Sequence, residues 1–228
     1  MTQVLDAIFL DLDGCLVDST RAITNTFDHA LASFGIAPRA PEVTRSFIGP
    51  PLRATFDRIV AEEGRGPELA EQLVQCYRER YRRMSASETA IIDGIPDALA
   101  ELRALAPIAI VTSKFGPVAS RLIDEIGLRA HIEVLHAPYD EQTLETKEVT
   151  LQRALSAARA RPHAAVMIGD REHDVLAGLA CGTATIGVLW GAGSRAELEA
   201  AGAHVIIEHA RALPATVRGL VEAGEGPA

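Results

Sequence analysis

Asp11 and Asp13 stand two residues apart where the apolar run Ala7–Leu10 ends. Alternate side chains of an extended chain share a face, so the two carboxylates can converge just beyond the end of a strand. Two anions held together repel, which either raises one pKa or recruits a cation. One carboxylate can then attack an electrophile or bind a metal, while its neighbour holds a proton for a leaving oxygen. Gly14 allows the backbone to turn closely around an anionic group.

Polar residues also follow two later apolar runs. Thr112-Ser113-Lys114 follows Ile108–Val111, and the segment 169–174, with Asp170 and Asp174, follows the run 164–168. Lys147 lies between them and opens a segment with helical spacing. An isolated Asp-x-Asp-Gly marks a turn or a calcium loop about as often as a catalytic site. Ligands in open α/β sheets bind beyond the carboxyl ends of the strands, however, so three polar strand ends define one candidate site.

Composition limits the classes of protein that need to be considered. The chain has 228 residues, a net charge of -9 and 48% hydrophobic residues, which is typical of a globular protein with one core domain and an additional smaller segment. Its three cysteines have no spacing typical of a zinc site or a disulfide framework, which favours a reducing compartment. A basic leader segment and a run of the roughly 20 apolar residues that span a bilayer are both missing. We therefore expect a cytoplasmic protein without a membrane partner.

The negative net charge also argues against nucleic acid as a partner. Residues 77–83, Tyr-Arg-Glu-Arg-Tyr-Arg-Arg, mix aromatic and cationic side chains as single-strand binders do. The last turn of a helix is the better interpretation, because cations favour helix carboxyl ends and the preceding apolar residues have helical spacing.

Short, nearly uninterrupted apolar runs predict strands that are covered on both faces. These runs are residues 5–10, 108–111, 164–168 and 183–189, with further strands expected at 131–135 and 203–207. Helical patterns at 116–126, 147–158, 174–181 and 194–201 fit crossover connections between them. We therefore predict an α/β fold, a doubly wound and mostly parallel sheet with helices on both sides.

One connection is far longer than this architecture needs. Asp13 and Thr112 are separated by much more than the ~30 residues of a strand-helix-strand unit. Helical patterns fill the interval, at 41–47, 52–60 and 68–84 among others. The sequence thus predicts a core domain formed by residues 1–16 and 90–228, with a helical cap domain inserted at 17–89.

Taken together, these motifs resemble the haloacid dehalogenase-like hydrolase superfamily over nearly the whole chain. The resemblance rests on Asp11-x-Asp13, Thr112, Lys147 and Gly169-Asp170-x-x-x-Asp174, in that order. It implies a Rossmann-like core, and the insertion is similar to the helical C1-type cap. Residues 47–53, 167–174 and 186–191 resemble the phosphoglycolate phosphatase and 5'-nucleotidase-like branch.

The resemblance implies a two-step phosphoryl transfer. Asp11 would attack phosphorus to form an aspartyl-phosphate, and Asp13 would donate a proton to the departing alcohol and later take one from water. Thr112, Lys147 and backbone N–H groups near Gly14 and Ser113 would hold the phosphoryl oxygens. Such electrostatic stabilisation is what phosphoryl transfer mainly requires.

The same resemblance implies Mg²⁺ as the cofactor. Its ligands would be the Asp11 and Asp170 side chains and the Asp13 carbonyl, with Asp174 orienting either a water of the metal site or Lys147. Hard oxygen ligands suit this ion. A phosphomonoester adds about two negative charges to a site that is already acidic, so a divalent cation and Lys147 would offset that charge.

Two further cations are candidates for contact with substrate. Arg53 follows the Gly-Pro-Pro turn at 49–51, and its planar guanidinium suits a phosphate or a carboxylate. Lys114 lies two residues after Thr112. The sequence leaves open whether either one faces the substrate, and it also leaves open the roles of Cys15 and His173.

The leading hypothesis is a Mg²⁺-dependent phosphomonoester hydrolase acting on a small phosphorylated metabolite, such as phosphoglycolate, a nucleotide or a related phosphate. A phosphomutase of the same superfamily is the alternative, and a catalytically silent binding domain is a remote one. The sequence identifies neither the natural substrate nor the oligomeric state, because one fold serves many substrates.

Overall fold

The computed structural model describes residues 4–48, 52–139 and 145–223, with side chains up to residue 220. The chain divides into two compact units. The first contains the residues up to Asp18 and those from Ile91 onward, and the second is Ser19–Ala90. The predicted cap, 17–89, covers nearly the same stretch as the second unit. Residues 49–51, which belong to one of the branch motifs, lie outside the described residues.

The described strands are short. In chain order they are β1 Ala7–Leu10, β2 Val17–Asp18, β3 Ala90–Ile91, β4 Ile108–Val111, β5 Val134–His136, β6 Ala165–Gly169, β7 Ala184–Val188 and β8 Val205–Ile207. Six of them form a sheet in the order β5-β4-β1-β6-β7-β8, and each neighbouring pair is parallel. β2 and β3 pair separately. The predicted α/β fold with a mostly parallel sheet is confirmed.

Ten helices accompany these strands in the described ranges. They are α1 Thr20–Ser33, α2 Pro41–Arg45, α3 Leu52–Glu62, α4 Glu68–Met84, α5 Ile95–Leu102, α6 Gly116–Glu125, α7 Lys147–Ala158, α8 Glu172–Ala180, α9 Arg195–Ala200 and α10 Leu213–Ala223. Helices α5 to α10 alternate with the strands of the first unit, as parallel pairing requires. None of the helices described is long and apolar enough to cross a membrane.

The centre of the sheet is buried throughout. Every residue of β1, β4 and β6 is buried, which explains why their sequences are apolar without alternation. Helix α7 packs on this centre through Leu151, Ala154 and Leu155, in one cluster with Phe9 and Met167. This packing fixes α7 against β1 and β6, and so fixes its first residue as well.

Strand register brings the polar strand ends level with one another. Leu10 pairs with Ile110 of β4 and with Ile168 of β6. The residues that follow these positions therefore emerge at one edge of the sheet, and β1 lies between the other two strands. This edge is where ligands bind in open parallel sheets.

Several element boundaries differ from the sequence prediction by a few residues, and two of these differences have a clear physical reason. The prediction of a strand at 131–135 is partly wrong. A 3-10 turn occupies Leu128–His131 after Gly127, which has a left-handed conformation, and β5 begins only at Val134. Helix α8 begins at Glu172 rather than at Asp174. The Asp174 carboxylate accepts a hydrogen bond from the Arg171 N–H (3.1 Å), which caps the helix two residues earlier than its apolar pattern indicates.

The second unit is built around an aromatic cluster. The Phe27 ring on α1 lies 5.0 Å from Phe47, 5.1 Å from Phe56 and 4.8 Å from Tyr77, measured between centroids. Tyr81 stacks on Tyr77 at 5.6 Å. Tilted and stacked pairs at these distances stabilise a core beyond the area that they bury. The tyrosines of the 77–83 segment are therefore core residues of this unit.

Arg80, a cation of the same segment, forms its hydrogen bonds within the second unit. Arg80 binds Glu88 through both terminal nitrogens, at 3.1 and 2.9 Å, and donates to Thr26 Oγ1 at 2.8 Å. Hydrogen bonds from Arg80 and Asn25 lower the pKa of Glu88. This partly buried fork joins α4 to α1 and to the 3-10 turn Ala86–Glu88.

Candidate active site

Five polar side chains of the first unit come from the ends of the three central strands and from two helix starts. Asp11 follows β1, Thr112 follows β4 and Asp170 follows β6, while Lys147 opens α7 and Asp174 lies in the first turn of α8. All five are buried. The chain folds in this way because each apolar strand ends at a polar residue, and the level strand ends place these residues together.

Lys147 is the centre of the charge arrangement. Its Nζ lies 2.6 Å from Asp11 Oδ1 and 2.8 Å from Asp174 Oδ1, and it donates to the Val111 carbonyl at 3.0 Å. Burial alone would lower the Lys147 pKa, but the Asp11 and Asp174 carboxylates outweigh burial and raise it. Lys147 is therefore a permanent buried cation that holds two carboxylates in place.

The carboxylates outnumber this cation. Burial raises the pKa of Asp11 to about 7 against the opposing effect of Lys147, and the Asp174 and Asp170 charges raise it further. Burial and Asp174 likewise raise the pKa of Asp170 to about 6, although the hydrogen bond from the Ala192 N–H lowers it. Burial is the main cause of both shifts, and the neighbouring carboxylates add to it.

This arrangement fits a divalent cation. Asp11, Asp170 and Asp174 each offer a carboxylate oxygen within 4.8 Å of the others. Asp170 Oδ1 is buried and has no hydrogen-bond partner among the described residues. Uncharged water would not offset the excess of carboxylates, whereas a hard divalent ion with oxygen ligands would do so. Both oxygens of Asp174 already have partners, at Lys147 and at the Arg171 N–H.

Asp13 has a partner that the sequence did not indicate. Lys114 Nζ lies 2.9 Å from Asp13 Oδ2, and the Asp13 side chain is 22% exposed. The sequence made Lys114 a candidate for contact with substrate and left its role open, and the structure places its ammonium on the proposed acid. The Lys114 N–H also donates to Thr112 Oγ1 at 3.1 Å, which leaves the Thr112 hydroxyl hydrogen for another acceptor.

The turn after β1 depends on a glycine. Gly14 has a φ of +83°, a left-handed conformation, and a Cβ there would lie 2.3 Å from Asp170 Oδ2. Its N–H donates to the Val17 carbonyl at 2.8 Å, so this amide is committed within the turn and is not free for a phosphate oxygen. Gly14 therefore contributes through its backbone shape and the absence of a side chain. Ser113 is exposed beside Thr112.

Arg53 belongs to the second unit. It lies on α3, where Nε binds Asp57 at 2.9 Å and Nη1 binds Glu71 of α4 at 3.0 Å. These side chains are about half exposed, and the pKa of Arg53 is raised by Asp57 and Glu71. Its predicted contact with substrate stays a prediction, and the observed role is an ion pair between two helices.

Cys15 and His173 flank the buried carboxylates. Burial raises the pKa of the Cys15 thiol well above its usual value, and Sγ contacts the Ile168 carbonyl at 3.7 Å. Such a thiol is poorly reactive, which supports a packing role. His173 is partly buried on α8, and burial lowers its pKa, so the neutral imidazole is favoured near neutral pH.

Sequence reasoning recognised residues 186–191 as a branch motif but did not predict that the loop after β7 contacts Asp170. The Ala192 N–H donates to Asp170 Oδ2 at 2.7 Å, and the Trp190 indole N–H donates to the Cys15 carbonyl at 2.9 Å. Only the glycines on either side of Ala192 signalled a close backbone approach. A main-chain donor has no residue type of its own, which explains why the contact of Ala192 with Asp170 was not predicted.

The family comparison agrees with the geometry. The sequence model described as haloacid dehalogenase-like hydrolase matches residues 8–188. A solved structure described as a predicted phosphatase from Clostridium acetobutylicum superposes with a TM-score of 0.83 at 28% identity, covering 94% of this chain and 98% of that one.

Curated relatives carry several activities in their names. A tyrosine-protein kinase, PtkA, of Mycobacterium tuberculosis is 35% identical over 204 residues, 89% of this chain and 68% of its own length. A 5'-nucleotidase of Pseudomonas aeruginosa is 34% identical over 85% of this chain and 86% of its own. A phosphoglycolate phosphatase of Chromobacterium violaceum is 30% identical over 82% and 86%. The chain thus belongs to the haloacid dehalogenase-like hydrolase family, and it is an enzyme of that family.

Proposed function

We propose that this protein is a Mg²⁺-dependent phosphomonoester hydrolase that works through an aspartyl-phosphate on Asp11. The observation that carries the proposal is the buried contact of Asp11 with Lys147, at 2.6 Å, beside carboxylates that the described cations do not balance. A nucleophilic carboxylate needs to be ionised and fixed, and Lys147 contributes to both. The relatives named phosphatase and 5'-nucleotidase support the same reaction class.

Asp11 makes the first new bond. Lys147 holds Asp11 Oδ1, and in our proposal the other carboxylate oxygen attacks phosphorus as the bond from phosphorus to the ester oxygen breaks. The leaving oxygen takes its proton from Asp13. In the second step of the reaction, water attacks the phosphorus, a proton of that water passes to Asp13, and the bond from phosphorus to Asp11 breaks. Inorganic phosphate and an alcohol are the products, and Asp11 and Asp13 return to their starting states.

The position of Asp13 suits this exchange of a proton. Lys114 contacts Oδ2 at 2.9 Å, and the Asp13 side chain is partly exposed, so that a leaving oxygen or water can reach it. Thr112 follows β4, whose Ile110 pairs with Leu10 of β1, and its hydroxyl can donate to a phosphoryl oxygen. Charged and hydroxyl donors placed in advance around the transferring group supply most of the stabilisation in such reactions.

Asp11, Asp170 and the Asp13 backbone carbonyl would hold Mg²⁺. When bound, the ion supplies positive charge that offsets the carboxylates and the phosphate. Asp174 serves mainly to hold Lys147 and to cap α8, because both of its oxygens have partners. An acidic site that has to accept a dianion needs this added charge.

The substrate class that we propose is a small phosphorylated metabolite, a nucleotide, phosphoglycolate or a related phosphate. Arg53 is a candidate contact for a second anionic group of that substrate. The relative named a tyrosine-protein kinase supports a second candidate function, in which a tyrosine hydroxyl takes the place of water as the acceptor. The phosphomutase alternative would give a phosphorylated isomer in place of inorganic phosphate.

A phosphate-release screen tests the proposal. The purified chain is incubated with a panel of phosphorylated metabolites and Mg²⁺, and substrates are ranked by kcat/KM; a tyrosine-containing protein and product analysis distinguish the alternatives. We expect hydrolysis of at least one metabolite, and its loss in Asp11→Asn, which keeps the shape of the side chain but removes the nucleophile. Undiminished phosphate release by a folded Asp11→Asn protein would exclude the covalent mechanism.

A further inference from the structure

The loop between β7 and α9 packs directly against Asp170. The Ala192 N–H donates to Asp170 Oδ2 at 2.7 Å. A Cβ on Gly191 would lie 2.3 Å from the same oxygen, and a Cβ on Gly193 would lie 1.8 Å from the Asp170 carbonyl oxygen. The backbone of this loop therefore lies so close to Asp170 that any residue larger than glycine at position 191 or 193 would collide with it.

This contact determines which Asp170 oxygen is available. Ala192 engages Oδ2, while Oδ1 is buried without a hydrogen-bond partner in the part of the chain that the structure describes. A hydrogen bond to one oxygen fixes the rotation of the carboxylate about its last side-chain bond. Outer hydrogen bonds of this kind orient metal ligands and contribute to metal affinity.

The same loop is tied to the turn after β1. The Trp190 indole N–H donates to the Cys15 carbonyl at 2.9 Å. Cys15 follows Gly14, where a Cβ would lie 2.3 Å from Asp170 Oδ2. Asp170 is thus held between two backbone segments, and the indole joins one segment to the other.

We propose that residues 190–193 form a positioning segment for Asp170, with Gly191 and Trp190 as its positioning residues. Gly191 leaves room for the Asp170 carboxylate and lets the Ala192 amide reach it, and Trp190 fixes the distance between this segment and the Gly14 turn. The role of Asp170 as a Mg²⁺ ligand rests on the proposed function. The positioning role concerns only how the carboxylate is held, so binding can test it without turnover.

The test compares Gly191→Ala and Trp190→Phe with the wild-type chain. Gly219→Ala is the matched control, because a Cβ at Gly219 on α10 has no atom within 4 Å. The Kd for MgCl2 is measured by titration calorimetry without substrate, and thermal unfolding in chelator verifies folding. We expect Gly191→Ala to raise the Kd on the order of 10-fold or more, the range found for outer-shell changes at metal sites. Trp190→Phe, which keeps an aromatic ring but removes the N–H donor, should raise it less, and Gly219→Ala should leave it unchanged.

Steady-state kinetics separate positioning from general damage. In both variants the Mg²⁺ concentration for half-maximal rate should rise, while KM for the substrate at saturating Mg²⁺ should stay near the wild-type value. A folded Gly191→Ala protein with wild-type Mg²⁺ affinity would overturn the inference even if the enzyme hydrolyses phosphomonoesters. Weakened binding in an otherwise inactive chain would support the inference and refute the proposed function, and a wild-type chain that binds no Mg²⁺ would refute both.

Discussion

Asp11→Asn is expected to stabilise the metal-free protein at neutral pH while it abolishes turnover. Asp11, Asp170 and Asp174 are buried around the Lys147 ammonium, so buried carboxylates exceed buried cations here among the residues that the structure describes. Burial raises the Asp11 pKa to about 7, which means that the folded chain resists ionising this group. Asparagine has nearly the same shape and carries no charge, so it removes the cost of burying the anion.

The pKa shift sets the size and the pH window of the effect. The Asp11 pKa rises from 3.8 to about 7 on folding. Three pKa units correspond to about 4 kcal/mol, and because part of the Lys147 contact is lost in the variant we expect a gain of about 2–4 kcal/mol in the free energy of unfolding at pH 7. Between these two pKa values the native chain binds more protons than the unfolded chain, so its stability falls as pH rises. The advantage of the variant should therefore grow across this window and vanish below it.

Urea unfolding in chelator at several pH values measures this difference directly. Asp13→Asn is the matched control, because Asp13 is partly exposed and is balanced by Lys114 at 2.9 Å, so its replacement should not stabilise the chain. Saturating Mg²⁺ should stabilise the wild type more than Asp11→Asn and narrow the gap. If Asp11→Asn is less stable than the wild type in chelator at pH 7, the Lys147 contact outweighs the burial of charge and the reasoning is wrong.

The remaining predictions concern the acid, the metal and the second unit. Asp13→Asn should slow hydrolysis of alkyl phosphates more than that of phenolic phosphates, since good leaving groups need less protonation, and equal losses in single-turnover assays would exclude Asp13 as the acid. Chelator should abolish phosphate release, Mg²⁺ should restore it and Ca²⁺ should restore it poorly because of its looser coordination; full activity in chelator would exclude a metal requirement. Arg80→Met should lower the free energy of unfolding by about 1–3 kcal/mol, because Glu88 loses its fork partner, and addition of Glu88→Gln should recover part of that loss in a double-mutant cycle. Arg53→Ala should leave the free energy of unfolding nearly unchanged, as expected for an exposed ion pair, while kcat/KM falls more for an anionic metabolite than for a neutral aryl phosphate; equal falls would remove Arg53 from substrate recognition.

The sequence predicted the parallel sheet and the meeting of its polar strand ends because both follow from local patterns. An apolar run without alternation identifies a strand buried on both faces, and the residue after it emerges at the carboxyl edge whatever the details of packing. Asp11, Thr112 and Asp170 are all of this kind. Lys147 was placed by its helical segment, whose apolar face has to cover the sheet.

The group that each site residue contacts was harder to predict from the sequence. Lys114 had at least two acceptors within reach in principle, a substrate phosphate and Asp13, and only the path of the chain after β4 decides that its ammonium meets Asp13. Main-chain donors such as Ala192 carry no signal in their side chain. The start of α8 moved for a related reason, since Asp174 was weighed as a site residue and also caps the helix.

Close backbone packing and excess negative charge at this site both act on the Asp170 carboxylate. An isolated carboxylate relieves repulsion by turning away from its neighbour, but Asp170 lies between the backbone at Gly14 and at Gly191, where an added Cβ would lie 2.3 Å from its Oδ2, and its Oδ2 accepts from the Ala192 N–H. Burial, and after it the charge of Asp174, raises the Asp170 pKa. Because the side chain is held against this repulsion, a cation can bind without first ordering its ligand. In our proposal the two glycines thus hold the Asp170 carboxylate in a position that repulsion from Asp174 disfavours, so the stability of the metal-free chain and its affinity for Mg²⁺ should be linked.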